Sequence, residues 1–411
     1  MVKDVGLFIK EYLVKLLTYA IFDQTNDMGI FRFIDLFAGV GGFHIAMSRL
    51  GGECVFASEI DPYAVATYKS NFGSEPYGDI RSVDERVIPA HDVLCAGFPC
   101  QAFSKAGKQE GFDDTRGTLF FEIKRILKHH MPKYIILENV RNLASHDGGR
   151  TWKVISESLR ELGYIITDKP LIVSPHQVGV PQLRERVFIL GVHSSMTKVK
   201  KFRFDIPPSH RNQTRGDLIL NGKADKRYAI SQYEEYVLNA WDEFIAGVGR
   251  LNLGFPIWAN EFGKSYDLGH LPTWKANFVN KNRILYSQNK TFIDKWLKKH
   301  NYLSDFVQTH SKFEWQAGEH IDTVWKGIIQ FRPSGIRVKR PTEFPALVAM
   351  VHIPIVGWEK RRLTPREVAN LQSFPSDFKI NDNIQQAYKQ FGNAVNVKVV
   401  EFLAKQLFEQ A

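Results

Sequence analysis

Phe31-Arg-Phe-Ile-Asp-Leu-Phe37 is an apolar run, and Ala38-Gly-Val-Gly-Gly42 follows it at once. The run reads as a buried strand, the glycines as a tight turn, and Phe43 to Leu50 as a helix. This unit constrains the fold more than any other stretch, because a strand that feeds straight into a helix belongs to an α/β sheet. The unit recurs downstream. Cys54-Val-Phe-Ala-Ser58 predicts a second strand ending in Glu59, and a third short strand is expected to end at Gly78-Asp79-Ile80. The expected fold class is α/β and doubly wound, with a second, smaller domain described below.

The glycine turn also points to a ligand. Gly39 and Gly41 let one approach the backbone beside a helix N-terminus. The spacing does not match GxGxxG, so a dinucleotide is not the default. Glu59 is placed to bind ribose hydroxyls, and Asp79 to accept a hydrogen bond from an adenine amino group. The turn holds no phosphate-binding Lys or Arg, which points away from ATP and towards S-adenosylmethionine.

A second landmark is Leu94-Cys-Ala-Gly-Phe-Pro-Cys-Gln-Ala-Phe-Ser104. An apolar strand, His91–Leu94, enters a turn built from Gly97 and Pro99, and Cys100 lies just past it. This is how an α/β fold presents a reactive side chain at the carboxyl end of its sheet; the alternative for any one cysteine is a buried structural thiol. The loop from Gly97 to Gly117 has no clean period and reads as a cover over a site. Leu119, Phe120, Ile123, Ile126 and Leu127 then share one helical face. Strand Tyr134–Leu137 runs into Glu138-Asn139-Val140, and a carboxylate at the end of a buried strand is costly unless it has a partner or a task. Next come a helix through Trp152, Ile155, Leu159 and Leu162, and a strand from Tyr164 to Val173. Arg184 and Arg186 alternate with Leu183 and Glu185, so one strand would set both guanidinium groups on one face, aimed at a carboxylate and a carbonyl.

After about residue 195 the alternation stops. Residues 201–340 carry 22 Lys and Arg against 14 Asp and Glu, which is +8 of the chain's +10, and six of its eight tryptophans. Aromatic residues interleaved with Lys and Arg suit nucleic acid; most of the tryptophans are expected in this segment's own core. The α/β pattern returns at Thr364-Pro365-Arg-Glu367, a capping box with proline at the first helical position. Gly392-Asn393 reads as a turn at the start of a last amphipathic helix. Three cysteines with no CxxC pair exclude a disulfide framework and a zinc site, and no apolar run is long enough for a bilayer, so a cytoplasmic setting is expected. The expected organisation is an N-terminal helical extension over 1–30, a catalytic domain over 31–199, a second domain over 200–355, and a return to the first over 356–411.

Five blocks occur in a telling order: Phe33-Ile-Asp-Leu-Phe-Ala-Gly-Val-Gly-Gly42, Gly97-Phe-Pro-Cys-Gln101, Glu138-Asn-Val140, Gln182-Leu-Arg-Glu-Arg186 and Gly392-Asn393. Over residues 31–191 and 362–411 the chain resembles the bacterial 5-methylcytosine DNA methyltransferases. The resemblance implies a Rossmann-like, S-adenosylmethionine-dependent catalytic domain and a mixed target-recognition domain. It implies methyl transfer to carbon 5 of a cytosine flipped out of a specific duplex DNA site, leaving S-adenosylhomocysteine. Cys100 would add to carbon 6, Glu138 would hold ring N3, and Arg186 with Arg184 would grip the cytosine carbonyl and orient Glu138. For the cofactor, Phe37 would face the adenine, Gly39 and Gly41 the methionine end, Glu59 the ribose, and Asp79 and Ile80 the adenine edge. Phe98, Leu119 and Asn393 would complete the pocket. By analogy the protein is a monomer on DNA and the modification half of a restriction–modification pair, with a cognate endonuclease that need not touch it. Two other readings are the same chemistry on tRNA and an inactive methyltransferase fold that binds DNA. The chain departs from the pattern at Ile60, where a close relative has tryptophan, and at Phe344-Pro-Ala-Leu-Val348, where the family carries a Thr-Leu or Thr-Val pair.

Overall fold

The computed structural model describes residues 30–98, 119–208, 216–221, 225–249, 253–347 and 352–411. The expected N-terminal helix, and the Cys100 loop from Pro99 to Thr118, lie outside the described residues. The chain divides into two compact units: the described parts of Met1–Ile172, Arg186–Asp205 and Val397–Ala411, and those of Val173–Glu185 and Ile206–Asn396.

The first unit is built on β1 (Phe31–Leu36), β2 (Gly52–Ser58), β3 (Val93–Gly97), β4 (Tyr134–Val140), β5 (Tyr164–Ile166), β6 (Leu171–Val173) and β8 (Arg186–His193). The strand order is β2-β1-β3-β4-β8-β5, with β6 on β8. The first four run parallel and β8 is antiparallel to β4 and β5. Its helices are α1 (Gly42–Arg49), α2 (Pro62–Phe72), α3 (Leu119–His130), α4 (Arg150–Glu161) and α10 (Val397–Gln410). Successive side chains of β1 point to opposite faces. Phe31 meets Phe408 of α10 with ring centroids 5.4 Å apart, and Tyr134 of β4 meets the same ring at 4.7 Å. Ile34 and Leu36 instead join Leu94, Ile135, Phe120 and Ile155 in the core under α3 and α4. Both faces of the sheet are therefore covered, as a doubly wound fold requires.

The second unit holds β7 (Gln182–Leu183) paired with β13 (Phe344–Pro345). Its six-stranded sheet follows the order β15-β14-β11-β12-β10-β9, built from β9 (Ile257–Trp258), β10 (Lys312–Trp315), β11 (Ile328–Arg332), β12 (Gly335–Lys339), β14 (Ile355–Val356) and β15 (Arg361–Arg362). Helices α5 (Gln232–Val248), α6 (Thr273–Gln288), α7 (Lys290–Lys299), α8 (Pro365–Leu371) and α9 (Ile384–Asn393) complete it. Trp241 stacks on Phe313 at 4.8 Å and touches Trp296 at 5.4 Å. Of the six tryptophans in the basic segment, Trp241, Trp296 and Trp315 are buried and Trp258 and Trp325 partly so, while Trp274 is 61% exposed.

Four sequence expectations change. The third strand is reduced to one parallel bridge, Ser58 to Tyr77; Asp79 accepts the N–H of Arg81 and starts a short turn over Ile80–Ser82 in place of a ladder. The strand from Tyr164 to Val173 breaks into β5 and β6, with Pro170 between them, which has no N–H to donate. Gly392 and Asn393 end α9 and do not open the next helix, which starts at Val397. The single strand through Arg184 and Arg186 does not exist: β7 stops at Leu183, β8 begins at Arg186, and the two arginines fall in different units.

The Thr364 capping box is present, and its Glu367 does more than cap. Both Glu367 oxygens take the Arg361 guanidinium at 2.8 Å, with side chains 1% and 6% exposed. Glu367→Ala leaves that guanidinium buried, with Glu359 and the Arg362 carbonyl still beside it. Loss of one partner of a buried pair costs about 3–5 kcal/mol, and Glu359 sets the lower end. The expected result is a matching drop in the urea midpoint of the second unit; an unchanged midpoint would show that the pair contributes nothing net.

Candidate active site

The carboxyl ends of β1 to β4 carry the site. Where β1 ends, Phe37 and Gly39 are left-handed, with φ of 58° and 56°. The Gly39 N–H donates to Glu59 Oε2 at 2.8 Å, and Glu59 Oε1 accepts from the N–H groups of Ile60 and Asp61, both at 2.8 Å. Three main-chain donors thus fix this carboxylate against the glycine turn. A Cβ on Gly39 would meet nothing within 4 Å, so the turn there opens onto free space. Gly41 differs: a Cβ would strike Phe72 at 2.3 Å, so its bare face serves the packing of α1 on α2.

A hollow of about 600 Å³ lies beside Glu59, lined by Ile60, Pro62, Val65, Gly78 and Asp79 among others. That volume is in the range of small-ligand sites. Its wall is apolar at Ile60, Pro62 and Val65, and carboxylates stand at Glu59 and Asp79. An ionised carboxylate offers about four acceptor positions; Glu59 accepts three main-chain donors and keeps capacity for a hydroxyl, while Arg81 makes four contacts to Asp79 and would have to yield one to a ligand's amino group. Hydrogen bonds from Arg81 hold the Asp79 carboxyl below its usual value. Ile80 is 2% exposed and packs in the main core, so only its main chain is available to a ligand. Pro62 and Val65 went unnoticed in the sequence; the signal was Asp61-Pro62, a helix start two residues after Glu59, the acid expected to bind ribose. This donor set fits a nucleoside: an apolar wall for the base, acids for its polar edges, and an open glycine turn.

Glu138 and Arg186 are brought together by the register of adjacent strands. Glu138 sits opposite Phe188, and Val140 opposite Arg186. Arg186 Nε lies 3.1 Å from Glu138 Oε1, with side chains 19% and 12% exposed. Burial pulls the Arg186 guanidinium below its usual value, and the Glu138 carboxylate partly restores it. On the other neighbour, β3, Gly97 pairs with Glu138, and a Cβ there would stand 3.6 Å from Glu138 Oε2. One oxygen therefore faces the guanidinium and the other faces a position without a side chain.

Asn139 adds a contact that sequence reasoning did not assign. It is 2% exposed. Its Nδ2 donates to the Phe98 carbonyl at 2.7 Å and its Oδ1 accepts from the Val140 N–H at 2.8 Å. The chain is thereby fastened two residues before Cys100. Asn139→Ala strands a buried carbonyl, at about 1–3 kcal/mol. The expected outcome is a lower methylation rate with a lower urea midpoint, both partly restored by Asn139→Gln; wild-type rates in the alanine variant would remove the residue from the site.

The remaining predicted residues are placed as follows. Arg184 is 2% exposed, and its Nη2 donates to the Ala394 carbonyl at 3.0 Å, beside Asn393 at the end of α9. Phe98 is buried against Phe120 at 6.1 Å, and Leu119 is the half-buried first residue of α3. Cys100 lies outside the described residues. The other two cysteines are unsuited to attack: burial pushes the Cys95 thiol well above its usual value and that of Cys54 up to about 12.

Comparison with known proteins agrees with this geometry. The pattern of the C-5 cytosine-specific DNA methylase family matches residues 31–409. The type II methyltransferase M.HpaII of Haemophilus parainfluenzae is 37% identical, over 95% of this chain and 94% of its own length. The type II methyltransferase M.HhaI of Haemophilus parahaemolyticus is 33% identical, over 91% of this chain and 93% of its own. Among solved structures, the S. pombe Dnmt2 methyltransferase shares the fold at a TM-score of 0.52 and 19% identity, covering 92% of this chain and 98% of its own. With the family pattern spanning both units, and a doubly wound sheet pairing Glu138 with Arg186 at 3.1 Å, the chain belongs to the C-5 cytosine-specific DNA methylases.

Proposed function

We propose that this DNA cytosine-5 methyltransferase uses S-adenosylmethionine, acts on one short duplex DNA site, and is the modification enzyme of a restriction–modification system. The observation that carries the reading is the Glu138 carboxylate at the carboxyl end of β4, paired with Arg186 across adjacent strands at 3.1 Å and lying beside Gly97 of β3. Glu59, Asp79 and the backbone of the Gly39 turn hold the cofactor, with Phe37, Gly41, Ile80, Phe98, Leu119 and Asn393 around it. When bound, S-adenosylmethionine supplies the methyl group that carbon 5 takes up.

The residues divide the remaining work. The Cys100 thiolate adds to carbon 6 of the flipped base, which makes carbon 5 electron-rich. Glu138 engages ring N3, drawing electron density into the ring as addition proceeds. Arg186 fixes Glu138 and meets the base carbonyl, while Arg184 acts from its site against Ala394 as a positioning residue. Loss of the carbon 5 proton then expels Cys100. Residues 200–355 read the target, supported by their excess of basic residues and by their own core; residues 31–199 and 356–411 carry the chemistry. The type II names of M.HpaII and M.HhaI support the restriction–modification role, in which a cognate endonuclease meets the same DNA and need not contact this protein, which acts as a monomer. No helix among the described residues is long and apolar enough to cross a membrane, which accords with a cytoplasmic setting.

Bisulfite sequencing tests the reading. Random-sequence plasmid DNA is incubated with the protein, with and without S-adenosylmethionine. Protected cytosines confined to one short motif, and only with the cofactor, are expected. Protection on tRNA but not on DNA, or none at all, would overturn it.

A further inference from the structure

Helix α6 has an outer face unlike an ordinary solvated one. Over Thr273–Gln288 it carries Lys275, Lys281 and Arg283 and no Asp or Glu. Its inner face buries Val279, Asn282 and Leu285. At 100° per residue Asn277, Asn280, Ile284 and Gln288 lie opposite the buried face, and Trp274 and Lys281 lie at its flank beside Leu285; all six are exposed. Solvated helix faces usually interleave both signs in i,i+4 pairs; this one offers amides, a lysine and two large apolar groups. Trp274 is 61% and Ile284 54% exposed. Trp274 is also the tryptophan of the basic segment that the core leaves outside.

The neighbouring helix α7 adds charge of the same sign. Lys290 and Lys299 are engaged by Asp294 and Glu243. Lys295 and Lys298 are exposed and make no ion pair among the described residues. Past its end, Asn301, Tyr302 and Leu303 are all left-handed, with φ of 48°, 51° and 59°. Three such residues in succession are strained. The turn buries Leu303 and leaves Tyr302 69% exposed. α6 has no carboxylate, and Asp294, the one acid of α7, is paired with Lys290; a surface of cationic, amide and aromatic groups matches a sugar–phosphate backbone, where Lys and amide N–H groups bond phosphate oxygens and flat apolar groups pack on sugars.

We propose that α6, with the exposed lysines of α7, is a second contact surface for duplex DNA that grips the phosphate backbone without regard to sequence. This rests on the DNA reading of the catalytic site but concerns residues outside it. In function it would add affinity for flanking DNA and leave the choice of target to other parts of the second unit.

The test is equilibrium binding of the full-length protein to fluorescent duplexes, short and long, with and without the methylated motif, across a salt series. The variant replaces Lys275, Lys281, Lys295 and Lys298 by glutamine; a second replaces the same four by arginine; a third is Trp274→Ala. For the wild type, affinity rises with duplex length even without the motif. The glutamine variant loses that rise, and its plot of log affinity against log salt is shallower by about 0.9 per lost phosphate contact. The arginine variant keeps both, and Trp274→Ala weakens binding at an unchanged slope. Equal slopes and equal length dependence in wild-type and glutamine variants would overturn the proposal. So would a change in the methylated motif, which would make the surface a base reader. Because the readout is binding, a chain that binds but does not methylate would defeat the catalytic reading and still decide this one.

Discussion

A Cys100→Ala chain transfers no labelled methyl group to DNA above the level without enzyme, while its affinity for duplex DNA stays at the wild-type value. The expected loss is on the order of 10⁴-fold or more, the scale seen when a nucleophile that acts in concert with its partners is removed. Carbon 5 of cytosine is a poor nucleophile until a group adds at carbon 6. No other thiol among the described residues takes over. Cys95 is fully buried in β3, and burial holds both it and Cys54 far from the thiolate form at neutral pH. Binding is preserved because the substitution removes one atom and no charge contact to the backbone. Methyl transfer by the alanine chain, even at a hundredth of the normal rate, would assign the nucleophile elsewhere.

Glu138→Gln lowers kcat by about 10²–10⁴-fold, the range for loss of a positioned acid–base group, with KM for DNA changed much less. Glutamine preserves the shape but removes both the charge and the ability to share a proton with ring N3. It also leaves Arg186, 19% exposed, facing a neutral amide across the 3.1 Å contact. A second, separable effect follows, a lower melting temperature, since a buried guanidinium has lost its counter-charge. Arg186→Ala removes the same pair from the other side. Its kcat is expected between wild type and Glu138→Gln, because the carboxylate survives but is no longer fixed. The readout is single-turnover methyl transfer at saturating DNA and cofactor, below the melting range of each variant. A Glu138→Gln chain with wild-type kcat would leave the carboxylate a structural partner of Arg186 and nothing more.

Much of the catalytic unit was legible because its signals are local. Apolar runs punctuated by glycine define β1 to β4, and the amphipathic faces of α3 and α4 stand out by period. Glu59 stood out as a candidate because its position after β2 is itself the signal, and its carboxylate lies against the Gly39 turn. Arg184 and Arg186 show where this reasoning fails. Their alternation is genuine, but the chain leaves one packed unit and enters another between them, and no local pattern marks that exchange. Ile80 shows a related limit: proximity to Asp79 in sequence says nothing about which way a side chain turns, and long-range packing draws that of Ile80 into the core, leaving its main chain towards the hollow's edge at Asp79. The six tryptophans of the basic segment look alike in sequence. Only tertiary contacts separate Trp241 and Trp296 from Trp274.

The closure of the catalytic sheet by α10 has a consequence for how this protein is made. Arg49 at the end of α1 pairs with Glu401 at 2.8 Å, a separation of 352 residues along the chain. Phe31 and Tyr134 likewise await Phe408. A ribosome that has reached Asn396 has already translated every strand of the sheet, yet one apolar face still lacks its cover. Contacts so distant in sequence form late, and surfaces exposed in the interval attract chaperones or one another. Completion of the catalytic unit is thus tied to the emergence of its final helix, and unfinished chains are kept from acquiring the finished site.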